Sequence, residues 1–334
     1  MVIEEFLLKI CDLIEDDDFA GASALISECI SSDPAMVDNR FKAELSMIEK
    51  MIDYKSNLKD WAYFRRMRLT YQYIEVQYVP LLQNDPYEID TNETLPDADT
   101  IWCCWLQGIE NAPAVIQKCV ESLKRFNRKI VIITEDNYTD YISLPDYLIE
   151  KKNKGIIDRT HFSDLIRIEL LSTRGGTWID STVFCSDASL MSEVFEKYDL
   201  FCYSFAMRDT ISPFMLFDNW VLHSRKKSRI IEDTKRILYM FWEKENYLMH
   251  YFLFHLIFAI SCRRHTDEMN RIPVFSLEPC HMLQHEMKEP FDQARWDQIM
   301  KMSGIHKMTY KYDESFDISG TMLEHMLDQP LEDN

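Results

Sequence analysis

The chain has 334 residues, of which 46% are hydrophobic, and a formal net charge of −19. This composition is ordinary for a globular protein, and the negative charge argues against nucleic acid as a partner, because a phosphate backbone requires a basic surface. A nucleotide remains compatible, since it needs only a local cationic pocket. Nine cysteines without a CxxC pair or zinc-ligand spacing predict reduced thiols and a cytoplasmic protein, and the acidic N-terminus predicts no signal peptide.

Residues 1–80 are predicted to form a helical N-terminal region, because IEEFLLKICDLIE and AGASALISECI carry apolar residues at helical spacing. The segment DWAYFRRMRLTYQY, residues 60–73, mixes three arginines with five aromatic residues. This mixture is typical of a membrane-surface helix or of a helix that packs against the next domain. We favour packing, because surface binding is only one use of the pattern.

Pro80, Pro86 and Pro96 stand among acidic residues and predict a linker over residues 81–97. After it, TIWCCWLQG, APAVIQKCVESLKRFN and KIVIITEDN form a strand, a helix and a strand, which predicts a βαβ unit with parallel strands. Residues 141–158 are predicted to be a loop, and TWIDSTVF a further strand. The α/β domain spans residues 98–312, and an acidic, loosely held tail spans residues 313–334.

Polar residues follow three of the predicted strands, where an open α/β sheet binds its ligands. They are Gln107 and Gly108 after the first strand, residues 135–137 after the second, and Asp180, Ser181 and Thr182 after TWI. We expect these ends to converge on one cleft. GxGxxG after the first strand, GxxxxGK[ST], GxSxG and HExxH are all absent, which disfavours the corresponding nucleotide-binding and hydrolase sites.

The stretch SDLIRIELLSTRGGTWIDST combines a helix, a glycine pair and an aspartate. Asp164 and Arg167 share one helix face, although such a pair is most often a solvated ion pair. With only 7 glycines in the chain, the adjacent Gly175 and Gly176 are informative. The first fits a left-handed helix C-cap, and the second allows helix and strand to approach closely. A tight turn alone leaves Asp180 unexplained.

Three motifs occur in order: W-x-x-W-x-Q-G at residues 102–108, S-D-x-x-R at 163–167 and G-G-x-W-I-D-x-T at 175–182, followed by SGIHKMTYK. In this order they resemble the capsular polysaccharide synthesis family of GT-A-type glycosyltransferases, which are related to glycosyltransferases with a DXD sugar-binding motif. The resemblance runs from about residue 98 to about 312. It implies a GT-A-like, Rossmann-like α/β fold, with a mixed, mostly parallel sheet flanked by helices.

The resemblance also implies an activity: transfer of a hexose from a nucleotide diphosphate sugar, with a UDP-sugar as expected donor and retention of configuration. The implied acceptor is a growing surface or capsular polysaccharide, or a lipid-linked oligosaccharide at the inner face of the cell membrane, which implies peripheral membrane association. Two alternatives stay open. One is a glycosyltransferase with a protein acceptor, as in related bacterial toxins, and the other is an inactive scaffold that binds sugar nucleotides.

For the site, the resemblance assigns catalytic roles to Asp180, Arg167 and Lys307. Asp180 matches the first acid of the DXD motif, but Thr182 replaces the second, which leaves a weak site for Mn²⁺ or Mg²⁺. Two sources of positive charge are open: His306 completes a metal site with Asp180, or Lys307 replaces the metal. A structural role for His306 is an equal alternative. The expected result for Asp180→Ala is loss of activity with an unchanged thermal transition.

The remaining implied site residues bind substrate. Arg167 is expected to bind the diphosphate or a sugar hydroxyl, and Asp164 to accept hydrogen bonds from sugar hydroxyls. Trp105 either stacks on the base or is a buried aromatic residue. The other expected substrate contacts are Gln107, Gly108, Ser163, Gly176, Ser181 and Thr182.

Overall fold

The computed structural model describes residues 3–32, 39–54, 58–84, 87–205, 214–313 and 315–330. Its first part is helical, as predicted, and contains α1 (Ile3–Glu15), α2 (Phe19–Ser32), α3 (Asn39–Tyr54), α4 (Leu58–Gln77) and α5 (Val79–Asn84). No helix in these ranges combines the length and the apolarity needed to span a bilayer. All nine cysteines are buried and free of disulfides.

A five-stranded sheet forms the centre of the second part, in the order β2-β1-β3-β6-β5. Its strands are β1 (Ile101–Cys104), β2 (Ile130–Ile133), β3 (Gly176–Ile179), β5 (Leu200–Ser204) and β6 (Phe217–Ser224). Strand β1 pairs in parallel with β2 and β3, whereas β6 is antiparallel to both β3 and β5. All strands except β6 therefore run in one direction, and the predicted α/β class with a mixed, mostly parallel sheet is confirmed.

Helices cover both faces of this sheet. Helices α8 (Arg159–Thr173), α10 (Arg229–Lys244) and α11 (Leu253–Arg264) share a hydrophobic cluster with Trp102 and Cys104 of β1. Helices α6 (Ala114–Ser122) and α9 (Ser189–Lys197) pack with Ile101 and Cys103. Because consecutive strand residues point to opposite faces, the alternation along β1 assigns each set of helices to its own face.

The predicted strand TWIDSTVF is wrong in one respect, because the chain turns within it. Strand β3 ends at Ile179, and the Val183 N–H donates to the Asp180 carbonyl at 3.0 Å. A new strand, β4 (Val183–Cys185), then pairs antiparallel with β7 (Ile305–Lys307) in a separate two-stranded sheet. This turn brings the late SGIHKMTYK segment beside the end of β3.

Two predictions of irregular structure are also wrong. The predicted loop 141–158 contains α7 (Asp146–Asn153), which follows Pro145, a residue suited to a helix start, and buries Leu148. The described part of the tail contains α15 (Met322–Asp328), whose buried Met322 and Met326 pack in a cluster with Trp296. Three further helices of the described residues precede α15: α12 (Thr266–Met269), α13 (Glu278–Glu286) and α14 (Gln293–Met302).

The packing interpretation of residues 60–73 is confirmed. Helix α4 buries Met67, Leu69 and Ile74 in the same hydrophobic cluster as helix α11. Arg263 of α11 donates to the Tyr71 hydroxyl at 3.0 Å. The N-terminal helices therefore share one core with α8, α10 and α11, on one face of the sheet.

Candidate functional site

Asp180 lies at the carboxyl end of β3, where its N–H donates to the Trp220 carbonyl of β6 at 2.8 Å. Its Oδ1 atom accepts hydrogen bonds from Arg167 at 2.9 Å and from the Trp178 indole N–H at 2.8 Å. Its Oδ2 atom accepts from Lys307 Nζ at 2.7 Å. Both carboxylate oxygens are thus engaged, each by a cationic side chain.

The charges around Asp180 decide its protonation state. Burial by itself would raise the pKa of this carboxyl group, but the positive charges of Lys307 and Arg167 outweigh it, and the pKa lies below the ordinary value. Asp180 is therefore ionised at neutral pH. The carboxylate of Asp180 is thus held between the positive charges of Arg167 and Lys307.

Asp164 and Arg167 do not form the solvated ion pair that is usual at this spacing. Arg167 donates to Asp164 Oδ1 at 2.5 Å, and its side chain is only 4% exposed. Its guanidinium group lies over the Trp178 ring, 4.7 Å from the centroid, an arrangement that favours a cation. Asp164, Arg167, Asp180 and Lys307 therefore form a continuous series of ion pairs, which we name the ionic chain.

His161 and Asn219 complete the surroundings of Asp164. His161 Nδ1 lies 3.4 Å from Asp164 Oδ2, and the Asn219 amide donates to Oδ1 at 3.2 Å. Burial by itself would lower the pKa of His161, but the hydrogen bond and the charge of Asp164 raise it above its ordinary value. The partners of Asp164 thus belong to both α8 and β6.

Strand β7 separates the two residues that the sequence offers as sources of positive charge. Lys307 bonds to Asp180, whereas the ring of the fully buried His306 bonds to Ser186 Oγ at 2.8 Å and lies near Phe184. Consecutive strand residues point to opposite faces, so His306 is not brought to Asp180. Burial lowers the pKa of His306 to about 4, which keeps the ring neutral.

The expected metal site pairs Asp180 with His306, and the geometry does not support this pair. Within the described ranges, no three His, Cys, Asp or Glu side chains are grouped so that they could hold a metal ion. The oxygens of Asp180 already accept from nitrogen donors. Among the described residues the pair of Asp180 and His306 is therefore not formed, and the cationic side chains in contact with Asp180 are Arg167 and Lys307.

The glycine pair has a structural role, which removes Gly176 from the expected substrate contacts. Gly175 and Gly176 have φ values of 74° and 95°, which few other residues adopt. A Cβ atom on Gly176 would lie 2.4 Å from the Thr100 carbonyl oxygen, and one on Gly175 would lie 2.6 Å from Leu95 Cβ. The close approach of Gly176 is to the segment entering β1, at the amino end of β3, whereas Asp180 is at the carboxyl end.

Among the other expected substrate contacts, Trp105, Gln107 and Gly108 follow β1, and Ser163 lies in α8. Trp105 is half-buried, and its ring meets Tyr310 edge-on at 5.4 Å. Gln107 is exposed, and Gly108 closes a turn by donating its N–H to the Trp105 carbonyl at 3.0 Å. Ser163 instead donates to the Thr160 carbonyl of its own helix at 2.6 Å.

The polar ends of β2 and β3 differ in what they offer. Ser181 is buried, and the Thr182 carbonyl accepts from the Met308 N–H at 2.8 Å, which joins the turn to the segment after β7. At the end of β2, Glu135 pairs with Lys152, and Asn137 Oδ1 accepts from the Thr134 N–H at 2.8 Å. The contacts of the ionic chain thus include the residue that follows β3, and the convergence of the other strand ends on it stays a prediction.

Sequence reasoning missed the contribution of β6. Asp218 and Asn219 stand at its beginning, which the antiparallel pairing with β3 places beside Asp180. Asp218 Oδ1 lies 3.4 Å from His255 Nε2 at the start of α11. The signal in the sequence is the polar pair directly before Trp220, and it points to the site only when the direction of the strand is known.

The solved structures to which this chain is similar include two glycosyltransferases. A glycosyltransferase involved in the glycosylation of the major capsid of PBCV-1 is 12% identical, with 68% of this chain and 97% of that chain covered and a TM-score of 0.32. The PaToxG glycosyltransferase is 13% identical, with 72% and 92% covered and a TM-score of 0.31. No curated protein matches the chain.

The family model for capsular polysaccharide synthesis proteins matches residues 50–326. This match starts within α3 and ends within α15, so it extends beyond residues 98–312, which contain the motifs that resemble the family. It agrees with the prediction of a glycosyltransferase. The chain belongs to the capsular polysaccharide synthesis protein family.

Proposed function

We propose that this glycosyltransferase moves a hexose from a nucleotide diphosphate sugar, with a UDP-sugar as the expected donor, to a growing surface or capsular polysaccharide. The single observation that carries the proposal is the ionic chain at the carboxyl edge of the sheet, with Asp180 held between Arg167 and Lys307. Family membership supports the polysaccharide acceptor. A lipid-linked acceptor would bring the enzyme to the inner face of the cell membrane.

The role of Lys307 follows from the charge that develops in the reaction. When the bond between the sugar C1 and the phosphate oxygen breaks, the leaving nucleoside diphosphate gains negative charge, which a fixed cation stabilises. Lys307 has three N–H donors and donates one to Asp180, and its side chain is 20% exposed. We therefore assign the counter-charge to Lys307.

Arg167 is better suited to positioning than to substrate contact. Its side chain is 4% exposed, and its guanidinium group is held between Asp164 and Asp180 and over Trp178. Because Lys307 donates to Asp180, holding Asp180 in place also holds the Lys307 ammonium group in place. This assignment departs from the expectation that Arg167 binds the diphosphate directly.

Retention of configuration is proposed from the family relationship and needs no separate general base. In such a step the acceptor hydroxyl oxygen bonds to C1 on the face from which the phosphate leaves, and the acceptor proton passes to the departing phosphate oxygen. Catalysis then depends on positioning and on charge stabilisation. The ionic chain supplies both through side chains of α8, β3 and β7.

The proposal is tested by hydrolysis and transfer assays with a panel of nucleotide sugars, with Lys307→Met, Lys307→Arg and the exposed Lys301→Met as a matched control. Loss of one such charge-stabilising group should lower kcat about 10²- to 10³-fold. Lys307→Arg should recover part of the rate, and Lys301→Met should match the wild type. Equal rates for Lys307→Met and wild type would refute the role of Lys307.

Binding and product analysis separate the alternatives. Calorimetric titration with UDP and UDP-sugars, with Mn²⁺ or with EDTA, should show donor binding in both conditions if Lys307 supplies the counter-charge. Absence of binding in both would favour an inactive scaffold. Intact-mass analysis that finds a hexose on a protein, with no extension of glycan acceptors, would favour a protein acceptor.

A further inference from the structure

Three carboxylates lie in or beside the ionic chain: Asp164, Asp180 and Asp218. They differ in whether an oxygen atom remains free to accept a hydrogen bond from a substrate. Asp180 accepts from Arg167, Trp178 and Lys307, so both of its oxygens are engaged. Asp164 is engaged in the same way, by Arg167 and Asn219 at Oδ1 and by His161 at Oδ2. Neither of these two side chains offers a free oxygen atom to a substrate.

Asp218 is different. Its Oδ1 atom accepts from the Asn219 N–H at 2.7 Å and faces His255 Nε2 at 3.4 Å. Its Oδ2 atom has no hydrogen-bond donor in the part of the chain that the structure describes. The side chain is 17% exposed, so it is mostly enclosed by protein but still accessible.

Asp218 belongs to the same site as the ionic chain. The next residue, Asn219, donates to Asp164, and the one after it, Trp220, accepts from the Asp180 N–H. The positive charge of Lys307 acts on Asp218 as well as on Asp180. The free oxygen therefore lies beside the position where the proposed diphosphate and sugar would bind.

His255 fixes the orientation of this carboxylate. Its ring is 8% exposed and meets the Phe252 ring edge-on at 4.9 Å, and its Nδ1 atom is buried without a partner. Packing thus holds the ring with Nε2 towards Asp218. Burial by itself would raise the pKa of Asp218, but the hydrogen bond from His255 lowers it below the ordinary value.

Asp218 is ionised, and the described residues leave its Oδ2 atom unused, so this oxygen can accept a hydrogen bond from a bound ligand. Sugars supply neutral O–H donors, and a diphosphate supplies none that an anion could accept. We propose that Asp218 Oδ2 accepts a hydrogen bond from a hydroxyl group of the transferred hexose, with His255 as a positioning residue. This inference rests on the proposed function and identifies a residue that recognises the donor sugar by a hydrogen bond.

The experiment combines Asp218→Asn with donor analogues. After the panel has identified the donor that the wild type hydrolyses fastest, kcat/KM is measured for that donor and for each of its monodeoxy analogues. The wild type should lose about 10- to 100-fold with the analogue that lacks the contacted hydroxyl, as expected for a hydrogen bond to a charged group. Asp218→Asn should lose a similar factor with the parent donor but little more with that one analogue.

Controls separate the contact from a general loss of structure. Asp297→Asn changes an exposed aspartate of α14 and should match the wild type. UDP alone should bind Asp218→Asn within about 2-fold of the wild type, because the nucleotide does not depend on the sugar contact. Asp218→Ser repeats the test if the asparagine variant is unstable. His255→Phe should weaken discrimination against the same analogue, and His255→Gln, which keeps an N–H donor, should restore part of it.

Three outcomes would overturn the inference. Wild-type kcat/KM in Asp218→Asn would show that the free oxygen has no part in donor use. If Asp218→Asn lost a further equal factor of kcat/KM with every analogue, Asp218 would not contact any one hydroxyl group of the sugar. Loss of transfer with unchanged donor hydrolysis would assign the contact to the acceptor. A wild-type protein that hydrolyses no nucleotide sugar would instead refute the proposed function itself.

Discussion

Replacement of Asp180 by asparagine should destabilise the fold as well as abolish activity, whereas the sequence alone predicts an unchanged thermal transition for Asp180→Ala. The variant leaves Lys307 and Arg167 without the anion that lies 2.7 Å and 2.9 Å from them. At an effective dielectric constant of about 20, each attraction is about 6 kcal/mol before desolvation. Removal of one partner from a buried ion pair typically costs about 3–5 kcal/mol. Because Asp180 is 25% exposed, we expect a loss of about 3 kcal/mol.

This loss can be converted into a shift of Tm. With an unfolding entropy of about 2.1 cal/mol/K per residue, the 334 residues give about 0.7 kcal/mol/K, and 3 kcal/mol corresponds to about 4 °C. Scanning calorimetry measures the shift, with Asp297→Asn as the isosteric control and donor hydrolysis assayed in parallel. A Tm of Asp180→Asn within about 1 °C of the wild type would refute the reasoning.

The same variant tests whether the stabilisation by Asp180 decreases or increases as the pH falls. The pKa of Asp180 is lower in the folded protein than the ordinary value of 3.8. Its contribution to stability is therefore fully present above the unfolded-state pKa and disappears as the pH falls through the folded-state pKa. The difference in unfolding free energy between wild type and Asp180→Asn should be constant near neutral pH and should decrease at acidic pH. A gap that widens in acid would contradict this assignment.

Two further predictions concern positions away from the ionic chain. Gly176→Ala places a Cβ atom 2.4 Å from the Thr100 carbonyl at a φ of 95°, so thermal scans should show a loss of about 3 kcal/mol, whereas Gly155→Ala, with open space around it, should lose about 1 kcal/mol; similar losses would argue against the steric explanation. His306 has its pKa lowered to about 4, so wild-type stability should fall by up to about 1.4 kcal/mol per pH unit between pH 6.5 and 4. Urea titrations of His306→Gln should lack this contribution, and an unchanged slope would assign the acid sensitivity to other groups.

Local patterns in the sequence were sufficient for the parts of the site that lie close together in the chain. Asp180 is recognisable because a polar residue directly follows a buried strand, and Gly175 and Gly176 because this chain uses so few glycines. The face shared by Asp164 and Arg167 follows from helical spacing. All of these features lie within twenty residues, where periodicity and turn chemistry determine the structure.

The remainder depends on contacts between distant segments, which periodicity does not contain. Whether His306 or Lys307 faces Asp180 depends on the pairing of β7 with β4, more than a hundred residues earlier. A shift of that register by one residue would exchange the two side chains. Asp218 joins the site only because β6 runs antiparallel to β3. The break between β3 and β4 was missed because Asp180, Ser181 and Thr182 interrupt the apolar run only briefly.

The seam between helices α4 and α11 sets a lower limit on how far the chain can be shortened. Ile74 and Met67 of α4 share a core with Phe254 and Ile257 of α11, and His255, the proposed positioning residue, lies between those two. A fragment beginning at residue 98 would expose this apolar surface to water and invite aggregation. The smallest soluble and active fragment that we expect therefore begins before Leu58. Helix α4, which carries none of the proposed catalytic residues, is therefore needed in any expressed fragment that is to fold and be active.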